Sequence, residues 1–196
     1  MVRYDVSAHS ITGAIVGGAP AFYAWQPSTW PAAPATWDPA LIVTIRRIFE
    51  ESMLNEIGNV IADAGGDLQH RGHVVAIGLL CALDAISSYG YGRKNGKQIP
   101  PFIRAHFPGD YRPHAKRLLK LYRHAMVHSW NLFAAAILPG FDPVTNDGVV
   151  LCFGLLNLRD ALSKGVEDYL AKLATSRTLQ TATLTRYRQL RNSSKA

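Results

Sequence analysis

The apolar residues of the chain follow a helical period from Asp38 onward. Up to the pair Gly65 and Gly66 they recur every three or four residues, which places them on one face of a helix. They are Leu41, Ile45, Ile48, Phe49, Leu54, Ile57, Val60 and Ile61. Asp38 followed by Pro39 is typical of a helix start, and the glycine pair is typical of a helix end. The pattern therefore predicts a long amphipathic helix over this segment.

Three more helices are predicted along the chain. Residues 73–90 are apolar on almost every face, which is typical of a central helix. A third helix is predicted from Pro113 to about Ala136 and a fourth over residues 149–174, whereas residues 91–102, rich in Gly, Lys and Pro, are predicted to form a loop. No segment alternates between apolar and polar residues with a period of two. The predicted fold class is therefore all-α, a four-helix bundle.

The two ends of the chain differ from this central part. Residues 1–38 are rich in Pro, Ala and Trp, and their prolines exclude a regular helix or a central strand. Residues 177–196 carry five basic residues and no acid. The predicted organisation is an irregular N-terminal arm (1–38) held on the domain by its tryptophans, a helical bundle (39–176) and a basic C-terminal tail (177–196). A short helix is predicted in the tail, over LTRYRQLRN.

The charge of the chain is unbalanced. Its 196 residues include 21 Lys and Arg against 14 Asp and Glu, a net charge of +7 with neutral histidines. Such an excess favours an acidic partner, and nucleic acid is the commonest one. Between Ala85 and Gly140 the only acid is Asp110. The nine cations there are Arg93, Lys94, Lys97, Arg104, Arg112, Lys116, Arg117, Lys120 and Arg123. They form either a solvated surface or one that binds phosphates.

The two cysteines and the apolar runs indicate a compartment. Cys81 and Cys152 lack the paired spacing of a zinc site or a disulfide framework, so they are predicted to be buried thiols in a reducing environment. The predicted elements contain no apolar stretch of the roughly 18 residues that a membrane span needs. We therefore expect a cytoplasmic protein with no membrane partner.

The histidines leave a metal site open as an alternative. His70 with His73 and His124 with His128 are two pairs that could in principle hold zinc. No carboxylate joins them at the Glu-x-x-His spacing of diiron bundles. We expect no metal and no cofactor.

The predicted third helix carries the segment LYRHAMVHSW, residues 121–130. At 100° per residue, the face of Leu118 is the one that a bundle buries. That face also holds Leu121, Tyr122, Ala125, Ser129 and Leu132. The basic residues lie largely opposite, at Lys116, Lys120, Arg123, His124 and His128. The spacing therefore predicts a helix with one buried and one basic face.

The basic face holds the groups that metal-independent RNA cleavage needs. RNA carries its own nucleophile, the 2′-hydroxyl, so the protein must supply a base, an acid and a cation for the charge on phosphorus. The imidazole of His128 can act as base or acid near neutral pH. Arg123 can hold a phosphate through two parallel hydrogen bonds. The same residues are also consistent with a basic helix surface that carries out no reaction.

The segment YRHAMVHS resembles the signature of the HEPN superfamily, an arginine, a polar residue, three variable residues and a histidine late in a bundle helix. Arg123, His124 and His128 match it in order and spacing, although the superfamily often has Asn or Asp at the second position. The flanking segments LLCALDAISSYGYG and IPPFIRAHFPGDYRPHAKRLLKLYRHAMVHSWN are also similar to uncharacterised bacterial HEPN-like proteins. The resemblance covers about residues 40–175.

This resemblance implies a homodimer in which two copies of the motif face each other. It also implies a metal-independent endoribonuclease of a toxin–antitoxin or other defence system, with RNA as substrate and an antitoxin protein as partner. Arg123 and His128 would carry out the cleavage, with His124 in support. Other superfamily members bind RNA or nucleotides without cleavage, and this alternative stays open.

Further residues are assigned around the motif. Lys116, Lys120 and Arg117 are predicted to bind the RNA backbone, and the exposed loop GYGRKNGK to guide it. Asp84 is a lone acid in the apolar central helix, so it needs a partner. It either makes a hydrogen bond within the bundle or supports the motif by orienting Arg123 or His128.

Overall fold

A computed structural model describes residues 13–16, 19–22, 30–63, 68–92, 95–124, 135–146 and 150–193. This part of the chain is mostly helical, which confirms the predicted class at that level. The helices are α1 (Leu41–Phe49), α2 (Asn55–Asp63), α3 (Leu68–Tyr91), α4 (Ile99–His106), α5 (Ala115–His124), α6 (Leu155–Leu173) and α7 (Arg177–Ser193). A π-helical segment (Glu50–Leu54) joins α1 to α2, and a 3-10 segment (Gly109–His114) precedes α5.

Short strands accompany the helices, so the prediction of a chain without strands is wrong. β1 (Gly13–Val16) and β2 (Ala19–Phe22) pair antiparallel inside the arm that was expected to be irregular. Both are edge strands, where a proline such as Pro20 is tolerated. β3 (Ala135–Leu138) pairs in parallel with β5 (Leu151–Gly154), and β4 (Thr145–Asn146) pairs antiparallel with β5.

The strands β3 and β5 replace the predicted end of the third helix and the predicted start of the fourth. Each is a four-residue apolar run, and periodicity does not distinguish such a run from a buried helical turn. In β5, Leu151 and Phe153 are fully buried. The fourth helix therefore begins at Leu155 and not at residue 149, because the chain before it is used for strand pairing.

The predicted first helix is present. Leu41, Ile45, Ile48 and Phe49 of α1 are buried, as their spacing predicts. The Asp38 carboxylate accepts a hydrogen bond of 2.9 Å from the backbone N–H of Ala40, in the turn that leads into the helix. The chain then stays helical to Asp63 through the π-helical segment.

The predicted central helix is α3, and it packs against α2, α4, α6 and α7. Its part Gly72–Tyr91 is long and apolar enough to cross a membrane, so the expectation that no stretch meets this criterion is wrong. More than half of that stretch is buried against other elements. The core helix of a folded helical domain has the same length and composition, and the contacts of α3 are those of a core helix.

The segment 91–102, predicted to be a loop, contains the start of α4. Pro100 and Pro101 lie in the first turn of this helix, where a missing N–H breaks no intrahelical hydrogen bond. Ile99, Phe102 and Ile103 are fully buried. The two prolines therefore lie at the start of a helix, in a segment that was predicted to be a loop.

The predicted basic tail is a packed helix over most of its length. α7 lies on α3 and α6, and Thr183, Leu184 and Tyr187 are buried. The hydroxyl groups of Thr183 and Tyr169 are 2.5 Å apart and share a hydrogen bond. Residues 177–193 therefore contribute to the core, because their apolar positions recur with a helical period that their charges obscure.

The arginines of α7 hold the end of the N-terminal arm. Arg188 donates hydrogen bonds of 2.6 and 2.7 Å to the carbonyl oxygens of Pro34 and Ala35. Arg191 donates one of 2.9 Å to the carbonyl oxygen of Pro31. Trp30 is buried and stacks on Tyr187 with ring centroids 5.3 Å apart. The expectation that tryptophan holds the arm on the domain is confirmed at Trp30.

Candidate nucleic-acid interface

Helix α5 has the two faces that its sequence predicts. Leu118 and Leu121 are buried, together with Ala115. These three recur at intervals of three residues, so they lie on one side of the helix. Lys116 and Lys120 are exposed on the other side. The predicted division into a buried and a basic face is therefore confirmed for residues 115–121.

Helices α4 and α5 pack against each other and leave a groove of about 500 Å³ between them. We call it the basic groove, and it is lined by Lys97, Pro100, Pro101, Arg104, Lys116, Leu119 and Lys120. Four of these seven residues are cations and none is an acid. Walls of one charge concentrate the field between them and raise the local concentration of anions.

The cations of the basic groove have no counter-charge within the described part of the chain. Lys97, Arg104, Lys116 and Lys120 are exposed, and no described residue forms an ion pair or a hydrogen bond with any of them. Arg46, by contrast, binds Glu50 at 2.8 Å and Glu167 at 2.5 Å. The groove therefore concentrates positive charge that an anionic ligand would neutralise.

The α4 wall of the groove is positioned by the opposite side of that helix. Pro100, Pro101 and Arg104 lie within about 100° of one another around the helix axis. Phe102 and His106 lie on the other side, where both are buried. Packing of that side against the core orients the groove-facing residues toward α5.

A hydrogen-bond network holds the buried side of α4 in place. The His106 Nδ1 atom lies 2.7 Å from the Asp168 carboxylate, which can only accept, so we assign the proton to Nδ1. The other ring nitrogen then accepts a hydrogen bond of 2.9 Å from the Tyr91 hydroxyl. Lys172 donates to the Asp168 carboxylate at 2.7 Å and to the carbonyl oxygen of Ala105 at 2.8 Å. The network thus links α3, α4 and α6.

The protonation states of this network suit a structural role. Burial lowers the pKa of His106 although the Asp168 carboxylate opposes the shift, so the imidazole is neutral at pH 7. Burial tends to raise the pKa of Asp168, but hydrogen bonds from Lys172 and His106 outweigh it and leave the pKa lowered. Burial and the Asp168 charge raise the pKa of Tyr91. Its phenol therefore stays protonated and acts as a donor, not as a nucleophile.

The lowered pKa of His106 predicts a loss of stability in mild acid. The unfolded state binds a proton near the ordinary value of 6.5, whereas the folded state binds it only at lower pH. The free energy of unfolding should therefore fall as the pH drops below about 6.5, by up to about 1.4 kcal/mol per pH unit for this one proton. Urea unfolding between pH 7 and pH 5 measures the slope. We expect His106→Gln to flatten it.

The other residues assigned from the sequence lie in different surroundings. Lys116 and Lys120 line the basic groove, as expected for backbone-binding residues. Arg117 is half-buried and donates a hydrogen bond to the side chain of Asn146 in β4, so it points away from the groove. Asp84 accepts a hydrogen bond from the buried side chain of Gln98, just before α4. Of its two interpretations, the hydrogen bond within the domain is therefore observed.

Two of the three predicted catalytic positions, 123 and 124, lie on α5 after the two lysines. The backbone of α5 continues through Arg123 and His124. Around the helix axis, position 123 lies within about 20° of Lys116 and about 60° of Lys120. The side chains of Arg123 and His124, and the whole of His128, lie outside the described residues. Their catalytic arrangement stays a prediction.

Arg104 was not assigned to the site from the sequence, and the position of Lys97 opposite α5 was not predicted. Both belong to the run of nine cations with one acid, which was the available signal. Placing them required α4, because this helix and Lys97 just before it form one side of the groove. A segment that is interpreted as a loop has no defined face, so the groove could not be predicted from the sequence.

Metal-ligating side chains are dispersed in the described part of the chain. Among those residues, no group of three or more His, Cys, Asp or Glu side chains lies close enough to hold a metal ion. Cys81 and Cys152 are free thiols. Both are half-buried, whereas the sequence analysis predicted buried thiols. Burial, together with the charge of Asp84, raises the pKa of the Cys81 thiol, so it is protonated at neutral pH.

No protein-family model matches the chain, and neither does any curated protein or solved structure. The function is therefore inferred from the groove and from the sequence motif.

Proposed function

We propose that this protein binds RNA along the basic face of α5 and in the basic groove, and cleaves it without a metal ion through Arg123 and His128. The observation that carries the binding is the groove itself, with four exposed cations, no acid and no counter-charge from the described residues. The cleavage rests on the motif, whose first residue follows the two groove lysines on the same helix face.

The binding follows from the chemistry of the nucleic-acid backbone. Each phosphate that replaces a condensed counterion on a Lys or Arg releases that ion to the solvent, which favours association at low salt. Lys116 and Lys120 lie one helical turn apart and can contact successive phosphates. Arg104 adds a planar fork of donors that suits a phosphate group.

The proposed reaction is an attack of the ribose 2′-oxygen on the adjacent phosphorus. The 2′-hydroxyl gives up its proton, the new P–O bond forms, and the bond to the 5′-oxygen breaks as that oxygen gains a proton. The products are a 2′,3′-cyclic phosphate and a 5′-hydroxyl. His128 transfers the proton, Arg123 stabilises the charge on the phosphate, and His124 supports them. Two copies of the motif in a homodimer would supply a base and an acid together.

The biological setting follows from the resemblance and belongs to the same proposal. A cytoplasmic endoribonuclease of a defence or toxin–antitoxin system would act on cellular RNA and be held inactive by an antitoxin protein. The basic groove would then be a surface that an acidic segment of the antitoxin could cover.

A second function, binding of RNA or nucleotides without cleavage, is favoured by the lining of the groove. Its residues are Lys, Arg, Pro and Leu, and they include none of the His, Asp and Glu side chains that most often act as general acid or base. A groove of about 500 Å³ has the size of a small-molecule site. The groove alone therefore supports binding, and cleavage requires the motif.

The test is incubation of the protein with labelled mixed RNA in EDTA at several salt concentrations. We expect steeply salt-dependent binding together with cleavage. Lys116→Glu with Lys120→Glu should weaken binding more than tenfold, since two phosphate contacts are lost and two repulsions added. Lys164→Glu with Arg177→Glu, the same charge change at exposed positions outside the groove, is the control. Binding without cleavage would favour the second function, and the absence of RNA binding at low salt would refute both.

A further inference from the structure

We infer that the basic groove is a subsite for one nucleotide next to the cleaved bond, with its phosphate between the cations and its base and sugar against Pro100, Pro101 and Leu119. This inference rests on the proposed function and adds the position and the chemistry of a neighbouring nucleotide.

The charges stand on both sides of the groove. Lys97 and Arg104 come from the α4 side, whereas Lys116 and Lys120 come from α5. A phosphate that lies between the two walls meets donors from both, in place of the single row that a flat helix surface offers. The pair Lys97 and Arg104 thus belongs to the groove and not to the motif, whose described positions 123 and 124 are on α5.

The floor between the cations is apolar. Pro100, Pro101 and Leu119 line the groove, and Pro101 and Leu119 are only half-buried, so a ligand can reach them. Binding of phosphate alone requires no apolar surface. A base has a flat face that gains from apolar contact, which every base offers.

The groove lacks the side chains that select adenine or cytosine. Its seven lining residues include no Asn, Gln, Ser, Thr, Asp or Glu, which are the side chains that read adenine and cytosine edges. Contact with the prolines and the leucine depends on the face of the base and not on its edge. The subsite therefore adds affinity for a neighbouring nucleotide without selecting adenine or cytosine.

The distance along α5 places this nucleotide beside the reaction. Lys120 and Arg123 are separated by three residues, or about 4.5 Å along the helix axis. Their long side chains can contact neighbouring phosphates of one strand. RNA that is too short to reach from the motif into the groove should therefore bind more weakly than longer RNA.

The test uses 2′-O-methyl oligouridylates of two, four and eight nucleotides, which cannot undergo the reaction, and an abasic octamer with the same phosphates. Lys97→Ala with Arg104→Ala should weaken binding of the octamer about tenfold. It should also lower the slope of log K against log salt by up to about 0.7, the contribution of the one phosphate that the groove holds. The matched control is Lys164→Ala with Arg177→Ala.

Leu119→Ala should weaken binding of the octamer threefold to tenfold and leave binding of the abasic strand unchanged. Melting temperatures check each variant, and Pro101→Ala replaces Leu119→Ala if the latter unfolds.

The outcomes separate this inference from the proposed function. Equal losses in the groove pair and the control pair would overturn the subsite, as would equal effects of Leu119→Ala on the octamer and the abasic strand. Uridine monophosphate that binds as tightly as the octamer, with the same response to the groove variants, would make the groove a site for free nucleotides and also overturn it. Cleavage of unmodified RNA would still support the proposed function in each case. No binding of any strand at low salt would refute the proposed function itself.

Discussion

A His128→Ala protein is expected to cleave RNA in EDTA at least 100-fold more slowly than the parent, while binding it with similar affinity. General acid–base catalysis by one positioned side chain contributes about 10² to 10⁴ in rate. The imidazole is the proposed group that moves the proton between the 2′-oxygen, the protein and the leaving 5′-oxygen. The four cations of the groove remain, and in the proposed function they supply most of the affinity. Single-turnover cleavage and equilibrium binding, measured on the same labelled RNA, separate the two effects.

The control for this prediction is His114→Ala. His114 is half-exposed in the 3-10 segment before α5, and it does not line the basic groove. The His114→Ala protein should cleave RNA at the parental rate. Arg123→Lys adds a second test, since it keeps the charge and loses the planar fork. A His128→Ala protein that cleaves as fast as the parent would remove the enzymatic proposal and leave the binding function.

The largest expected effect on stability comes from Gly154→Ala, which should lower the free energy of unfolding by about 3 kcal/mol, the upper part of the usual range for overpacking. Gly154 lies where β5 ends and α6 begins. A Cβ atom there would meet the carbonyl oxygen of Gly140 and would lie 2.5 Å from the Asp142 nitrogen. The Gly154 N–H also donates a hydrogen bond of 3.0 Å to the carbonyl oxygen of Asp142. The methyl group would therefore push the loop 140–142 away from β5.

The backbone of Gly154 has φ −79° and ψ 137°, values that any residue adopts. The expected loss is thus a matter of space and not of backbone strain. Gly58→Ala in α2 is the matched control, because a Cβ there has nothing within 4 Å. It should stabilise the protein by about 0.5 to 1 kcal/mol, the usual difference between Gly and Ala inside a helix. Urea unfolding of the two variants checks the prediction, and similar stabilities for both would show that the loop yields without cost.

Helices whose apolar residues follow a clear local pattern were predictable from the sequence. Leu41, Ile45, Ile48 and Phe49 form the buried face of α1, and Asp38 lies in the turn that leads into this helix. The almost wholly apolar stretch around Leu83 predicted the central helix α3. In these cases the local pattern and the tertiary packing favour the same structure, so the pattern was sufficient.

Short apolar runs and proline pairs were not predictable in the same way. Residues 151–154 became a strand because β3 and β4 lie on either side of them, and the choice between strand and helical turn depends on those partners. The pair Pro100 and Pro101 was interpreted as a break, although the first turn of a helix accepts proline. Both errors concern segments whose structure depends on distant residues.

The candidate site divides along the same line. Lys116 and Lys120 share the exposed face of α5 with position 123 because the helix repeats every 3.6 residues, and the sequence alone sufficed to place them there. The packing of segments far apart in the chain decides the surroundings of the other cations. It brings Lys97 and Arg104 opposite the two lysines across a groove. It also brings Arg117 to Asn146, and Arg188 and Arg191 to the N-terminal arm. The physical reason is that charge and periodicity are local properties of the chain, whereas the partner of each cation depends on which distant segment the buried apolar faces bring beside it.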